Sequence, residues 1–407
     1  MADTIRTLHL VNTLPYPPYS GYNQRVLQIM QNLSGRVQQT ILCRIMTPLT
    51  PEQDAFCEEA PFDIHTVLLP RPNLLQKIVK GLRFLPAKYP VTAAGWYFKP
   101  MVRTLRKLLA EESFDFIVLE GIWLSVYWPI IRHSPAQKVL NLYDLESELL
   151  RRHAEVLPPG LNRWIYLSSA RRMENLEKEL SHEADLIWTV SEKERGHLLN
   201  PDTDLPVYLA PNGVDCSAIE PLPPQNGKEI LFVGSFQYYP NVDGVQFFVN
   251  QVMPEVLKRC PQAVFRMVGR QPDKRIKALH KPPSIILTGE VDELEPCYRN
   301  AQVCVVPLRS GGGTRLKILE AMAYGRPVVS TTVGAEGIDV EHNRNILIAD
   351  QPAEIAEAVC RVLNGPNLAR NLTEEGRRLV ESRYAWKSIA NGMYEQYRTL
   401  MNKKVVS

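Results

Sequence analysis

What the chain does not contain narrows the field first. It has no C-x-x-C pair, and its seven cysteines, at 43, 57, 216, 260, 297, 304 and 360, are scattered and odd in number. That argues against a disulfide framework and a zinc site, and fits a reducing compartment. The eight histidines show no metal spacing, and His153 and His182 sit among charges and read as exposed. No stretch approaches the roughly 18 consecutive apolar residues of a membrane-spanning helix. No basic stretch with an apolar core precedes the first strand-like run, Leu8-His9-Leu10-Val11, so no secretory leader is expected. An excess of one charge is missing too: 47 Lys plus Arg against 44 Asp plus Glu leave +3, no global argument for nucleic acid. The first strand is followed by Asn12-Thr13-Leu14-Pro15-Tyr16-Pro17 and not by G-x-G-x-x-G, which speaks against a dinucleotide oxidoreductase. A cytoplasmic location is expected, with peripheral contact at the inner face of a membrane left open.

What is present is an ordinary globular composition, 45% hydrophobic and 22% charged over 407 residues, enough for two or three domains. Short apolar runs alternate with amphipathic stretches, the pattern of doubly wound parallel α/β sheets. Strands are predicted at 7–12, 38–44, 64–69, 115–119, 138–142, 186–190 and 206–209. Val26, Ile29, Met30 and Leu33 recur at helical spacing and predict a helix over 22–33. Residues 160–183 read as a long charged helix. Pro211-Asn212-Gly213 is a turn signal, and Pro221, Pro223, Pro224, Asn226 and Gly227 make a stiff polar linker. A second series starts at Glu229, with strands over 230–233, 263–268, 284–287, 303–307, 328–331 and 346–348. The expected division is a first domain over 1–212, a second over 213–385, and a last helix over 386–402 packing back on the first.

One segment stands out: Arg309-Ser310-Gly311-Gly312-Gly313-Thr314-Arg315-Leu316-Lys317-Ile318-Leu319-Glu320, running on through Gly325-Arg326-Pro327 to Val329. Three glycines let backbone come close to a ligand. Thr314 is an N-cap type, so a helix is predicted from Arg315, and Gly325 and Pro327 should end it. A glycine turn feeding a helix N-terminus is a ready anion site. Arg315 and Lys317 fall in the first turn, where a cation opposes the helix dipole, so they make better sense if a diphosphate is bound. Lys317 and Glu320 share a face within about one turn, roughly 5 Å, while Leu316, Leu319 and Ala323 take the other and can pack on the sheet. Amides and cations suit phosphates; a carboxylate accepting two O–H bonds suits a ribose diol. The bland alternative is a capped helix carrying a surface Lys–Glu pair.

Read as GGGTRLKILEAMAYGRPVV, this segment resembles the large retaining GT-B glycosyltransferase family numbered four. Val233-Gly234-Ser235-Phe236 with Pro240-Asn241-Val242-Asp243-Gly244 is similar to the start of that family's C-terminal domain. So are Val268-Gly269-Arg270, Thr288-Gly289-Glu290-Val291 and Gly334-Ala335-Glu336-Gly337 to later parts of it. Trp188-Thr189-Val190-Ser191-Glu192 and the run from Ala210 to Asp215 resemble its inter-domain region, and Pro15 to Gly21 its proline-rich first-domain loop. The resemblance implies a GT-B fold, two Rossmann-like doubly wound domains facing a central cleft. The N-terminal domain would take the acceptor and the C-terminal domain a nucleotide-sugar donor. Glu320 would hold the ribose hydroxyls, and Lys317 with Arg315 would neutralise the leaving diphosphate. Ser235, Arg270, Gly312, Gly313 and Thr314 would line the donor, the loop after Val291 would face the base, and Gly21 would reach the phosphates. Hexosyl transfer with retention of configuration is implied as well.

The sequence departs from the family pattern in three places. Gly312 stands where many members place a second glutamate. Glu120-Gly121-Ile122-Trp123 carries no histidine after the strand matching Phe116–Leu119. Ser235, Gln237 and Tyr238 replace an arginine-then-lysine pair, which leaves Arg270 or Arg315 as the second cation.

Asp202-x-Asp204 has the spacing for a divalent ion but precedes Pro206 in a turn and reads as surface. No metal and no cofactor are therefore expected beyond the UDP- or GDP-linked sugar, and positioned cations and amides would stabilise the leaving charge. Asp144 ends a first-domain strand; it either orients or deprotonates the acceptor, or caps a helix beginning near Leu145. Residues 71–90 carry Leu74, Leu75, Ile78, Val79, Leu82 and Leu85 with Lys77, Lys80 and Arg83 between them. They form either a basic helix on an anionic membrane or an ordinary helix with a solvated face. The acceptor expected is a glycan, a lipid-linked sugar or a small molecule. The readings from other classes are a nucleotide-sugar epimerase, for which no acid/base cluster is evident, and a catalytically silent relative, which Lys317 and Glu320 oppose.

Overall fold

The computed structural model describes residues 4–18, 20–69, 88–90, 93, 95–199, 206–310 and 315–406. Nearly all of the 71–90 stretch, together with Asp202, Asp204, Gly312, Gly313 and Thr314, lies outside them. The chain forms two compact units, Met1–Ala210 with Ala390–Ser407, and Pro211–Ile389.

The first unit is built on β1 (Ile5–Val11), β2 (Val37–Ile45), β3 (Asp63–Leu68), β4 (Phe116–Glu120), β5 (Gln137–Asn141), β6 (Leu186–Thr189) and β7 (Val207–Leu209). They form one parallel sheet in the order β3-β2-β1-β4-β5-β6-β7. A parallel sheet covered on both faces needs strands that are apolar throughout, and all five residues of β4 are buried. The predicted helix is present as Gly21–Leu33 and lays Val26, Met30 and Leu33 inward, Val26 and Met30 against Val11 and Ile41. The Leu161–Glu183 helix covers the other face with Met173, Leu176 and Leu180. The last helix, Trp386–Val406, sends Tyr397 against Phe116 and Trp188, with ring centroids 4.4 and 5.2 Å away.

The second unit holds β8 (Glu229–Val233), β9 (Val264–Val268), β10 (Ile285–Gly289), β11 (Val303–Val306), β12 (Val328–Ser330) and β13 (Leu347–Ile348). Their order is β10-β9-β8-β11-β12-β13. Each sheet reverses its chain order once, at β1/β4 and at β8/β11, and such a switch point opens a crevice at the carboxyl ends of the strands.

The 211–228 segment is not a free linker. Val214 exchanges backbone bonds with Tyr384 and Trp386 at 2.8 and 3.2 Å, and the Leu222 N–H donates to the Tyr324 carbonyl at 3.1 Å. Val214 and Leu222 are buried among Ile318, Met322 and Tyr384. Gly213 serves close packing and not a turn: a Cβ there would meet Trp386, Ile389 and the Tyr384 carbonyl at 2.8 Å.

Candidate active site

The second unit's switch point is lined by the ends of β8 and β11. Gly234 follows β8, and its carbonyl lies so near Gly269, which follows β9, that a Cβ on Gly269 would sit 1.9 Å from that oxygen. Two strand ends can approach this closely only because Gly269 has no side chain. A Cβ at Gly234 would fall 2.7 Å from Lys317 Nζ and 2.9 Å from Asn241 Nδ2. The glycines therefore make room for a lysine and an amide from other elements.

Lys317 comes from the Leu316–Ala323 helix after β11. Its Nζ donates to Asn241 Oδ1 at 2.7 Å and lies 4.3 Å from the Phe232 ring centroid, a cation–π contact. Asn241 is itself buried and fixed by donating from Nδ2 to the Ser235 carbonyl at 2.8 Å. Burial, and then the Arg315 charge, bring the ammonium down to about 7, against the pull of Glu320. Among the described residues no carboxylate stands within ion-pair distance of Lys317. A cation held this way gains strongly from an arriving anion. Glu320 accepts from the Tyr298 hydroxyl at 3.0 Å, and Tyr298 stacks on Tyr324 at 4.5 Å. Burial pushes the Glu320 carboxyl up; the Tyr298 bond and Lys317 oppose this.

The helix starts one residue later than expected. Arg315 occupies the N-cap position with φ −83° and ψ 84°, a backbone outside the helical basin, and its side chain makes no cap bond. Arg315 is buried and so does not face solvent as a free-standing cation. Leu316 is only half-buried, while Ile318 joins Leu319 in the core. The C-terminus agrees with expectation. Gly325 has φ +70°, its N–H donates to Met322 at 3.0 Å, and that of Arg326 to Ala321 at 2.8 Å, a Schellman motif. Ser235, Arg270 and Val291 follow β8, β9 and β10 on this same sheet edge. Arg270 is exposed, 3.9 Å from Glu290. Arg309 is tied to Asp243 by two hydrogen bonds, 2.5 and 3.0 Å, so it is already neutralised.

In the first unit, Gly21 opens its helix, exposed, with Ser20 capping Asn23 N–H at 3.1 Å. Asp144 is half-buried beyond β5, but it is not the helix cap. The Glu146–Val156 helix has Leu145 at its N-cap, and the carboxylate serving its amides is Glu177 of the next helix. Glu177 accepts from Ser147 N–H at 3.1 Å and from the Ser147 hydroxyl at 2.5 Å. Beside Asp144, burial and then the Asp144 charge raise the Glu146 carboxyl to about 7, against a Trp123 hydrogen bond.

Sequence reading missed a buried cluster at β1/β4. Glu120 meets His9 Nδ1 at 2.8 Å, accepts from Asn141 Nδ2 at 2.8 Å and from the Tyr143 hydroxyl. Burial pushes the Glu120 carboxyl up, but the His9 and Tyr143 bonds and the Arg25 charge outweigh it and hold it below the usual range. The Tyr22 hydroxyl takes Asn12 N–H at 2.9 Å and gives to the Glu120 carbonyl at 3.0 Å, tying the proline-rich loop to this cluster. Asn241, Phe232 and Tyr298 were missed as well.

Two Rossmann-like parallel-sheet units with glycine-lined strand ends define a GT-B glycosyltransferase fold. The sucrose-phosphate synthase of Thermosynechococcus elongatus superposes with a TM-score of 0.70 over 98% of this chain and all of that one, at 19% identity. Anabaena HepE in complex with UDP does so with 0.68 over 97% and 100%, at 13% identity. Residues 227–365, in the second unit, match the family described as Glycosyl transferases group 1. A phosphatidyl-myo-inositol mannosyltransferase of Mycobacterium leprae is 23% identical over 94% of this chain and 95% of its own length. The chain thus carries a glycosyl transferases group 1 domain and is a glycosyltransferase, an enzyme of the hexosyltransferase class. Among the described residues, no helix is long and apolar enough to cross a membrane.

Proposed function

We propose that the second unit binds a UDP- or GDP-linked sugar at the β8/β11 switch point and that the enzyme passes its hexosyl group, with retention and without a metal ion, to a hydroxyl acceptor. Lys317 and Arg315 take the diphosphate, with the amides of Gly312, Gly313 and Thr314. Glu320 takes the ribose hydroxyls, Ser235 and Arg270 line the donor, and the loop after Val291 faces the base. Gly21 offers a helix N-terminus to an anionic group, and Asp144 orients or deprotonates the acceptor hydroxyl. The bond from the anomeric carbon to the phosphate oxygen breaks, and its electron pair leaves on the diphosphate. The acceptor oxygen forms the new bond and gives up its proton. The acceptor is a glycan, a lipid-linked sugar or a small molecule, and no nucleic acid takes part.

The observation that carries this reading is Lys317: a partly buried ammonium brought down to about 7, braced by Asn241 and an aromatic face, with Glu320 one turn along its helix. Charge that develops on a leaving diphosphate is stabilised most by cations already in place. The test is thermal melting with UDP, GDP, ADP and dTDP in excess chelator, on wild type, Lys317→Ala and Glu320→Ala. A nucleotide at 100 times its dissociation constant should stabilise the protein by about 2.7 kcal/mol. One nucleotide raising the melting temperature of wild type only is the expected result. No shift with any nucleotide, or a shift that appears only with added metal, sinks the assignment.

A further inference from the structure

We propose that the tip of the hairpin made by the Glu146–Val156 and Leu161–Glu183 helices is a docking face for an anionic phospholipid bilayer. This surface belongs to the first unit, and the proposal does not depend on the donor reading. Large apolar side chains are rarely left uncovered in a row. Leu161, Trp164 and Leu167 are 72%, 58% and 43% exposed at spacings of three along one helix. They start at the Pro158-Pro159-Gly160 turn and run along the first two turns of the helix that follows it.

The charges of the hairpin are segregated along its length. Residues 150–172, the tip, carry Arg151, Arg152, Arg163, Arg171 and Arg172 against the single acid Glu155. The base, 146–149 and 173–183, carries Glu146, Glu148, Glu174, Glu177, Glu179 and Glu183 against Lys178. Two of the tip arginines lean on the base, Arg151 on Glu174 and Arg152 on Glu148, at 2.9 and 2.5 Å. Arg163 and Arg171 make no ion pair among the described residues. Arg151, Trp164, Leu167, Ser168 and Arg171 border a groove of about 550 Å³, and its one acid, Glu174, is the partner of Arg151. A tryptophan with leucines beside unneutralised arginines is the chemistry of a bilayer interface: the rings and aliphatic groups enter the headgroup layer while the guanidinium groups meet lipid phosphates. Strongly basic charge at the apolar tip favours an anionic lipid surface over a second copy, whose own tip would repel it.

The experiment is co-sedimentation of the full chain with phosphatidylcholine vesicles, with and without phosphatidylglycerol, on wild type and two double variants. Wild type should bind the anionic vesicles at least about tenfold more tightly than the neutral ones, and added salt should weaken that binding. Arg163→Glu with Arg171→Glu should cost about fivefold per arginine. Trp164→Ser with Leu167→Ser should cost about tenfold. The melting temperatures of both should stay at the wild-type value. Equal binding to both vesicle types, or no binding at all, overturns the proposal. So does a dimer in solution that Trp164→Ser with Leu167→Ser dissolves while vesicle binding persists.

Discussion

The two switch points have the same topology and opposite electrostatics. At β1/β4 the acid Glu120 is enclosed by His9, Asn141 and Tyr143 and held ionised by its donors. Among the described residues, the base Lys317 at β8/β11 meets one amide, a ring face and the like charge of Arg315, and is brought down to about 7 against the pull of Glu320. A buried charge whose partners are complete stiffens a fold, while one whose partners are incomplete is costly until something arrives. The first switch point is therefore closed by partners within the chain, and on the function proposed above the second receives an external anion.

The comparison breaks most visibly at Glu120. Glu120→Ala leaves His9, Asn141 and Tyr143 without their acceptor and should cost about 3–5 kcal/mol, the range for cutting a buried pair. Urea unfolding of the full chain reads this as a fall in midpoint, and a cost below about 1 kcal/mol would mean the cluster is not what closes the first switch point. A smaller effect is expected from pH. With free Lys317 near 7 and the ammonium favoured by bound diphosphate, binding takes up a proton above that value, so affinity falls as pH rises past 7. The limit is about tenfold per pH unit. Calorimetric titration with the stabilising nucleotide from mildly acidic to mildly basic pH should show that slope. Lys317→Arg should flatten it, because guanidinium does not titrate there. The smallest effect is at Tyr298→Phe. Losing one hydrogen bond to Glu320 should weaken nucleotide binding by about 1 kcal/mol, and the Glu320 carboxyl should move further up, since that bond opposes its burial. Unchanged affinity in this variant would detach Glu320 from the ligand.

Most of the fold was legible because parallel strands are short apolar runs, and each predicted run in the described residues became a strand within a few positions of its expected ends. The Lys317–Glu320 pair was legible from helical spacing alone. Its supports were not. Asn241 lies 76 residues away from Lys317 and Tyr298 lies 22 from Glu320, and no local pattern encodes such pairings. His9 and Glu120 are 111 residues apart, and each looks like an ordinary polar interruption at its own place in the chain. A polar residue inside an otherwise apolar run, such as His9 within Leu8-His9-Leu10-Val11, was the available hint. Asp144 as a cap failed for a related reason: Glu177, from the neighbouring helix, reached the same amides first. The single-residue error at Arg315 reflects how weakly local propensity fixes a helix start beside glycines.

Tyr397 has a consequence for how the protein is made. Phe116 and Trp188 emerge from the ribosome early, yet the ring that covers both belongs to a helix translated about two hundred residues after Trp188. Throughout that interval the second unit can complete its own core, while the first must wait with an aromatic seam uncovered. Of the two units, the one that starts first in synthesis is thus the one that finishes last.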